Sequence, residues 1–506
     1  MKLTGGCHGC GEPAARPCAD CAARVATLRR IAADPPPYPG GEGAGVLTCG
    51  GGRYWPGVVV LARMLRDTGS TLPVQCWYRG SVEEVRPADV AGLGVELIDV
   101  EQFEEWNARP RFGAGKLIGN AAVDKDGWRV KLFALARARF ESVLYLDADA
   151  YPVQNPAPFL DLAAAHGFAF WEDLSDASAA WWPKVWPGGG AGTAPIQGGQ
   201  LAIHRPSVWR EIALAAEMNR DAPHYYQRVH GDQDTWRVAF AVTGRRPLNL
   251  GKAPWKEVAF VCPLDGDPLI VHRIRTKLFR MADVKNGAGE AHSKPHPHLP
   301  AEDRAFAHFA AAVADERPGE VFPLIYSRQL WGKGSGAGSS AGEAAPYVEW
   351  VNGEAARRGW RTATDAGCGD GRVAARLEFE EYHGVDVVPA VIEANRRAMP
   401  RRAWTVADIT DPANLPAADV LLCKDVLHHW PNATVLAWLA AVVAAGKWRA
   451  LVVCVDTAHA TDGGDCPLGS YRALAPHLEP LKPFGLTTAR EFLHKSILVL
   501  DLPATG

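Results

Sequence analysis

The segment RFESVLYLDADAYPVQNP carries an apolar run, Val143 to Leu146, straight into Asp147 and Asp149. Residues two apart on an extended chain project to the same side, so both carboxylates can meet one ion. Oxygen ligands suit Mg2+ or Mn2+, and such a cation can bridge a nucleotide diphosphate and neutralise the leaving group. In GDQDTWRVAF, Asp232 and Asp234 can orient an acceptor. At the start of the chain Cys7, Cys10, Cys18 and Cys21 form two Cys-x-x-Cys pairs. In a reducing compartment four thiolates point to a closed tetrahedral shell around a structural Zn2+, a small zinc knuckle. A third constellation is ATDAGCGDGRVAARL, in which Asp365 precedes Gly367, Gly369 and Gly371. Glycines there let the backbone turn sharply and approach a ligand. Alone, this pattern is shared by nicotinamide and S-adenosylmethionine sites. Its continuation separates the two. YHGVDVVPAV ends a second strand at Asp386, suited to ribose hydroxyls, and WTVADITD ends a third at Asp408, near an adenine amine. ADVLLCKDVLHHWPN is a fourth strand running into Asp425 and His428, either of which can act as base toward a hydroxyl.

Positioning these groups requires strands that end at one edge of a sheet, which is where open α/β sheets bind ligands. The sequence supplies them twice. From about Val46 to Val271, short apolar strands such as GVLTC, PVQCWY, VELIDV and LIVH alternate with helical stretches such as PGVVVLARMLRDTG. A second alternation begins near Pro346, after turn-rich strings holding His292, His296 and His298 and then GKGSGAGSSAG. The Pro/Gly string DPPPYPGGEG reads as a linker after the cysteine cluster. The expected domains are therefore residues 1–34 (zinc knuckle), 45–325 and 326–506, the two larger ones α/β.

The motif order from about Gly45 to Lys277 resembles the GT-A-fold glycosyltransferases, specifically the fungal-type α-mannosyltransferase family and its glycogenin-like relatives. The resemblance implies metal-dependent transfer of a hexose of the mannose class from a sugar nucleotide. It places Arg66 at a family position, Lys131 of WRVKLFAL facing the donor, Gln200 of GGQLAIHRPSVW in the sugar pocket, His272 of VHRIRTK as a further metal ligand, and Arg273 and Lys277 near the diphosphate. The family's Glu-Ser-Gly-Gln string is replaced here by Gln197, Gly198, Gly199 and Gln200. From about Leu330 to Leu502 the succession of motifs resembles the class I S-adenosylmethionine-dependent methyltransferases, whose fold is Rossmann-like, and LWGKGSGAGSS resembles a cofactor-covering entry loop. His272 also fits a buried structural imidazole, and Trp171, Trp181, Trp182 and Trp186 fit either core packing or stacking on a sugar face.

At 506 residues with 47% hydrophobic content, the chain has material for several cores. Its 54 Lys+Arg against 57 Asp+Glu give no whole-chain field toward nucleic acid or an anionic membrane. Arg16, Arg24, Arg29 and Arg30 near the cysteines leave nucleic acid open as a partner. No run reaches the roughly 18 to 20 apolar residues of a membrane span, and no apolar stretch precedes Cys7 as a signal would require, so the expected residence is cytoplasmic. The expected substrates are a sugar nucleotide and a glycan or small-molecule acceptor. The rival readings are a binding protein with one degenerate domain, and modification of nucleic acid or protein with the knuckle as reader.

Overall fold

The computed structural model describes residues 19–110, 125–174, 194–227, 229, 231–256, 259–274, 277–284, 301–460 and 464–503. Cys7, Cys10 and Cys18, three of the four indole residues (Trp181, Trp182 and Trp186), and His292, His296 and His298 lie outside them. The chain divides into two compact units, Met1–Ile274 and Arg275–Gly506. The division falls earlier than the 325/326 boundary expected from composition.

In the first unit the strands are β1 (Ala44–Cys49), β2 (Val74–Tyr78), β3 (Val95–Asp99), β4 (Ser142–Leu146), β5 (Ala150–Pro152), β6 (Phe168–Glu172), β7 (Ile196–His204), β8 (Leu248–Lys252), β9 (Trp255–Lys256), β10 (Ala259–Leu264) and β11 (Asp267–His272). They form a seven-stranded mixed sheet, β3-β2-β1-β4-β7-β6-β8, and a four-stranded sheet, β5-β11-β10-β9. β1 lies between β2 and β4, parallel to both, while β7 runs antiparallel to β4. β1 and β4 are apolar in their middles because both faces are covered, as the burial of Val46, Leu47, Val143 and Leu144 shows. Helices Trp55–Asp67 and Lys125–Arg137 return the chain between parallel strands. Helix Ala19–Ala33 contributes Leu28 and Ile31 to the same core as Leu47, Tyr145 and Trp236.

The second unit continues with β12 (Thr362–Ala366), β13 (Glu381–Asp386), β14 (Ala403–Val406), β15 (Val420–Lys424), β16 (Ala450–Asp456), β17 (Thr487–Phe492) and β18 (Lys495–Asp501). Its sheet runs β14-β13-β12-β15-β16-β18-β17. Six strands run in one direction and β18 inserts antiparallel between β16 and β17. Strand order reverses direction between β12 and β15, which opens a crevice at their carboxyl ends. Helices Ala301–Ala312 and Pro318–Ser327 belong to this unit.

Candidate active sites

In the first unit the Asp-x-Asp segment is the joint between the two sheets. At the end of β4, Leu146 pairs with Gln200 of β7, and the Asp147 N–H donates to the Gly199 carbonyl at 2.8 Å. Three residues later the chain enters β5, where Ala150 pairs with His272, the last residue of β11. These two registers bring Asp147, Asp149 and His272 to one point, with one ligand atom from each within 4.8 Å of the others. His272 Nε2 stands 3.4 Å from Asp149 Oδ1, and its Nδ1 is buried with no hydrogen-bond partner among the described residues. Gly199 is a glycine for this reason: a Cβ there would lie 2.2 Å from the His272 ring.

Lys131, on helix Lys125–Arg137, reaches the same cluster. Its ammonium is 2.7 Å from Asp232 Oδ2 and 3.3 Å from Asp147 Oδ1, and donates to the Gly198 carbonyl at 2.7 Å. Burial opposes its charge, but Asp147 and Asp232 hold its pKa above the ordinary lysine value. Burial raises the Asp232 carboxyl, with Lys131 pulling it back. Asp232 and Asp234 sit in the first turn of helix Gly231–Thr243, and Asp234 pairs with Arg237 at 3.6 Å. Gln200 donates to Gln197 within β7, which leaves Gln200 Oε1 and Gln197 Nε2 buried without partners among the described residues. Arg273 is fully buried, and its N–H donates to the Asp149 carbonyl at 2.8 Å.

Not every sequence candidate arrives there. Arg66 closes helix Trp55–Asp67, and its guanidinium donates to the carbonyls of Ser70, Leu72 and Leu93. Those carbonyls lie in the turns that lead into β2 and β3, at the sheet edge opposite Asp147, so Arg66 clamps loops instead of meeting a donor. Lys277, expected near the diphosphate, follows the boundary at Ile274, and its role there remains a proposal. The Trp171 indole donates to the Pro263 carbonyl at 3.1 Å and packs on Phe159 as part of the core. Sequence reading passed over Tyr145, whose hydroxyl donates to Asp147 Oδ1 at 2.6 Å. It also gave Gln197 no role, although an amide inside the apolar string IQGGQLAI is itself a signal of a polar task.

In the second unit a cavity of about 490 Å3 opens where the strand order reverses. Gly367, Gly369 and Gly371 all have left-handed φ (78°, 54° and 73°), so the turn after β12 needs glycine. Asp386 at the end of β13 holds that turn: its Oδ2 accepts from the Gly369 N–H and its Oδ1 from the Val388 N–H, each at 3.0 Å. Burial raises its carboxyl and these backbone N–H groups pull it down. Asp365, buried in β12, accepts from the Tyr382 hydroxyl, and burial lifts its pKa to about 6. The segment after helix Pro318–Ser327 lies against the glycine turn. Ser335 and Asp370 exchange two hydrogen bonds, at 3.0 and 2.8 Å, and the Tyr326 and Ser335 hydroxyls meet at 2.7 Å. Ser335 through Gly338 line the cavity, in keeping with the covering loop expected from LWGKGSGAGSS.

The far wall follows β15 and β16. Asp425 takes a left-handed φ of 56° and is bound by Lys424 and by Lys495 at 2.6 Å, the latter from the start of β18. Burial alone would raise this carboxyl; the two lysines and His428 hold it well below the usual range. His428 and His429 follow in a helical turn, with the His429 ring stacked on Trp331 at 4.3 Å. Asp408 does not line the cavity: its Oδ1 accepts from the Thr410 N–H and hydroxyl at 2.9 and 2.7 Å, and Ile409 takes the lining position. Gly371 packs toward Asn395 and Met399, also away from the lining. Asp456, Tyr471 and Lys495 complete the wall without having stood out in the sequence, because they lie on two later strands and an irregular loop.

Residues 43–184 match a mannosyltransferase family model and residues 364–447 match the methyltransferase domain model. The α-1,2-mannosyltransferase MNN2 of Candida albicans is 28% identical over 168 residues, 32% of this chain and 25% of that protein. MNN5 of Saccharomyces cerevisiae is 27% identical over 28% of this chain and 21% of its own length. The trans-aconitate 2-methyltransferase of Methylobacterium radiotolerans is 36% identical over 91 residues, 17% of this chain and 35% of that protein. The chain thus spans a quarter or less of these two mannosyltransferases. Among solved structures, the N-methyltransferase NodS of Bradyrhizobium japonicum, with S-adenosylhomocysteine, aligns at TM-score 0.26 and 14% identity over 32% of this chain and 89% of NodS. The galactosyltransferase LgtC, in complex with donor and acceptor sugar analogues, aligns at TM-score 0.28 and 16% identity over 38% of this chain and 70% of LgtC. The chain joins a mannosyltransferase-like region to a methyltransferase-like domain, two transferase domains in succession.

Proposed function

We propose that the chain is a bifunctional transferase whose first unit, of GT-A type, moves a hexose of the mannose class from a sugar nucleotide to a glycan or small-molecule acceptor. Its second unit methylates that product or a related one with S-adenosylmethionine. The observation that carries the first half is the convergence of Asp147, Asp149 and His272 on one point beside the Lys131–Asp232 pair. Two carboxylates and an imidazole suit Mn2+ or Mg2+, and the buried Nδ1 of His272, without a partner among the described residues, and the glycine at 199 fit a ring held for a purpose beyond packing. Such a cation, when bound, would neutralise the diphosphate leaving group. Lys131 would offset the negative charge of Asp147 and Asp232, Gln197 and Gln200 would offer a donor and an acceptor to sugar hydroxyls, and Asp232 and Asp234 would orient the acceptor.

For the second half, the glycine turn, Asp386 and the crevice fit an adenosyl cofactor. Asp386 has carboxylate lone pairs left for ribose hydroxyls after its two backbone bonds, and Val387 and Ile409 supply apolar lining. Asp365 stands deeper in the same cavity. Asp425 and His428 stand on the far wall, after β15, where the acceptor would enter. A Zn2+ on Cys7, Cys10, Cys18 and Cys21 and a cytoplasmic residence complete the reading. Among the described residues no helix is long and apolar enough to cross a membrane.

Incubating the chain with a panel of sugar nucleotides and Mn2+ and measuring nucleotide release tests the first activity. Release is expected for one donor and is expected to vanish with EDTA or with Asp147→Asn plus Asp149→Asn in a protein that still melts cooperatively. Undiminished transfer in EDTA would overturn the metal assignment.

A further inference from the structure

We infer that the methyl acceptor of the second unit is a hydroxyl and that His428 is the base that takes its proton. This rests on the reading of that unit as an S-adenosylmethionine-dependent methyltransferase and deepens it by naming the acceptor's chemistry. Most of the polar groups on the cavity wall are already engaged. Asp425 binds Lys424 and Lys495 through Oδ2 alone, and its buried Oδ1 has no partner among the described residues, but the two lysines and His428 hold the carboxyl well below the usual range, which makes it a weak base. Asp456 accepts from the Tyr471 hydroxyl and, at 3.0 Å, from the Ala458 N–H. Asp365 accepts from Tyr382, and Asp386 is committed to the glycine turn. His429 Nδ1 lies 2.6 Å from the Ser470 carbonyl, and its ring is covered by Trp331. Glu343, half-buried, sits in the first turn of helix Ala341–Arg358.

His428 differs from the carboxylates in being an imidazole, and from His429 in having an open nitrogen. It is 4% exposed and lines the cavity, yet its Nδ1 has no hydrogen-bond partner among the described residues. Its place is set by the backbone, since the His428 carbonyl accepts from the Arg472 N–H at 3.1 Å and the His429 carbonyl from the Gly469 N–H at 2.8 Å. The ring is wedged between His429 and Tyr471, with centroids 4.4 and 5.3 Å away. A buried imidazole with an idle nitrogen costs free energy unless a ligand uses it.

Charge bookkeeping explains why this imidazole can serve although burial, with His429 beside it, pushes its pKa well below the ordinary value. The groups that act on it are His429, Asp425, Lys495 and Lys424, of which only Asp425 favours the imidazolium. Before transfer the cavity would also hold the sulfonium, a further cation. In the reaction the acceptor oxygen forms a bond to the methyl carbon while the carbon–sulfur bond breaks, its electron pair staying on sulfur. The hydroxyl proton passes to the His428 nitrogen. The sulfonium thereby becomes a neutral thioether as the imidazole becomes a cation, so the total charge in the buried site is unchanged and Asp425 faces the new imidazolium. An amine already neutral, or a carboxylate, would need no such base at the moment of attack.

The experiment uses the full chain and two probes, methyl α-mannoside and the same mannoside with one amino group in place of a hydroxyl, with radiolabelled S-adenosylmethionine. The expected result is an O-methyl ether on the first probe. His428→Gln is expected to lower that rate by about 100- to 10,000-fold, the range of general-base contributions. Calorimetric affinity for S-adenosylmethionine is expected to stay within about twofold, and added imidazole to restore part of the rate in His428→Ala. Methylation only on nitrogen, or on neither probe, or an unchanged rate in His428→Gln, would overturn the inference. Failure of the unaltered chain to bind S-adenosylmethionine at all would overturn the methyltransferase reading itself, and the titration reports that separately.

Discussion

At the scale of single residues, glycines and buried carboxylates set the sharpest expectations. Gly199→Ala drives a methyl group into the His272 ring, so the imidazole must leave its place beside Asp149. Overpacking of this kind costs about 1 to 3 kcal/mol. The expected outcome is a lower melting temperature with Mn2+ affinity reduced well beyond what the stability loss explains, checked by differential scanning fluorimetry and metal titration. Asp386→Ala removes the acceptor of two backbone N–H groups and of the proposed ribose contact. A charge-assisted bond is worth about 1.5 to 3 kcal/mol, so S-adenosylmethionine binding should weaken roughly ten- to a hundredfold by calorimetry. Asp365 gives a pH test. Burial raises its folded pKa to about 6, above the value of about 3.9 in an unfolded chain. The native state then binds more protons, so the stability it contributes is present below about pH 4 and lost as pH rises through about 6. Asp365→Asn keeps an acceptor for Tyr382 and removes the titration. The variant should gain stability over the parent between pH 4 and 7, and parallel denaturation curves across that interval would refute it.

At the scale of elements, legibility followed whether a residue's task is local. The glycine turn after β12 and the carboxylates after β4, β13 and β15 could be read because an apolar strand and its terminal acid are contiguous in sequence. The joint between the first unit's two sheets could not be derived, since β5 and β11 are far apart in the chain and their pairing depends on register. Through the resemblance alone His272 was expected to be a metal ligand. Arg66 was misplaced for a related reason: a basic residue at a helix end looks alike whether it faces a ligand or caps loop carbonyls, and here it makes bonds to Ser70, Leu72 and Leu93. Helix Ala19–Ala33 was grouped with the cysteines because only the linker string marked a boundary. Its Leu28, with no exposure, and Ile31 belong to the first unit's core, and Arg24 pairs with Asp221 at 2.6 Å. Leu28→Ala should therefore cost about 2 to 5 kcal/mol of first-unit stability. Urea unfolding followed by the first unit's tryptophans measures it; a loss below about 1 kcal/mol would mean that the helix is dispensable.

At the scale of the whole chain, the division at Ile274 and Arg275 makes a claim about which residues must travel with the methyltransferase-like sheet. Composition suggested a start near residue 326, after the His/Pro-rich string. The structure assigns helices Ala301–Ala312 and Pro318–Ser327 to the second unit, where Phe306, Phe309, Val321 and Ile325 are buried and Phe322 and Tyr326 line the cavity. Tyr326 also fixes Ser335, which in turn bonds to Asp370 in the glycine turn. A fragment of residues 275–506 should fold alone and bind S-adenosylmethionine as the full chain does. One of residues 330–506 keeps Trp331 but lacks Phe322 from the cavity wall and Tyr326, the tyrosine that seats the covering segment. Losing two buried aliphatic side chains removes about 1.5 to 3 kcal/mol each of apolar burial, enough to loosen that side of the site. The shorter fragment should accordingly bind at least tenfold more weakly and melt lower. Calorimetric titration of the two fragments beside the full chain decides it: equal affinity in both would place the working boundary of the methyltransferase-like unit after Ser327, and the two helices would then be a connection between units with no part in its cofactor site.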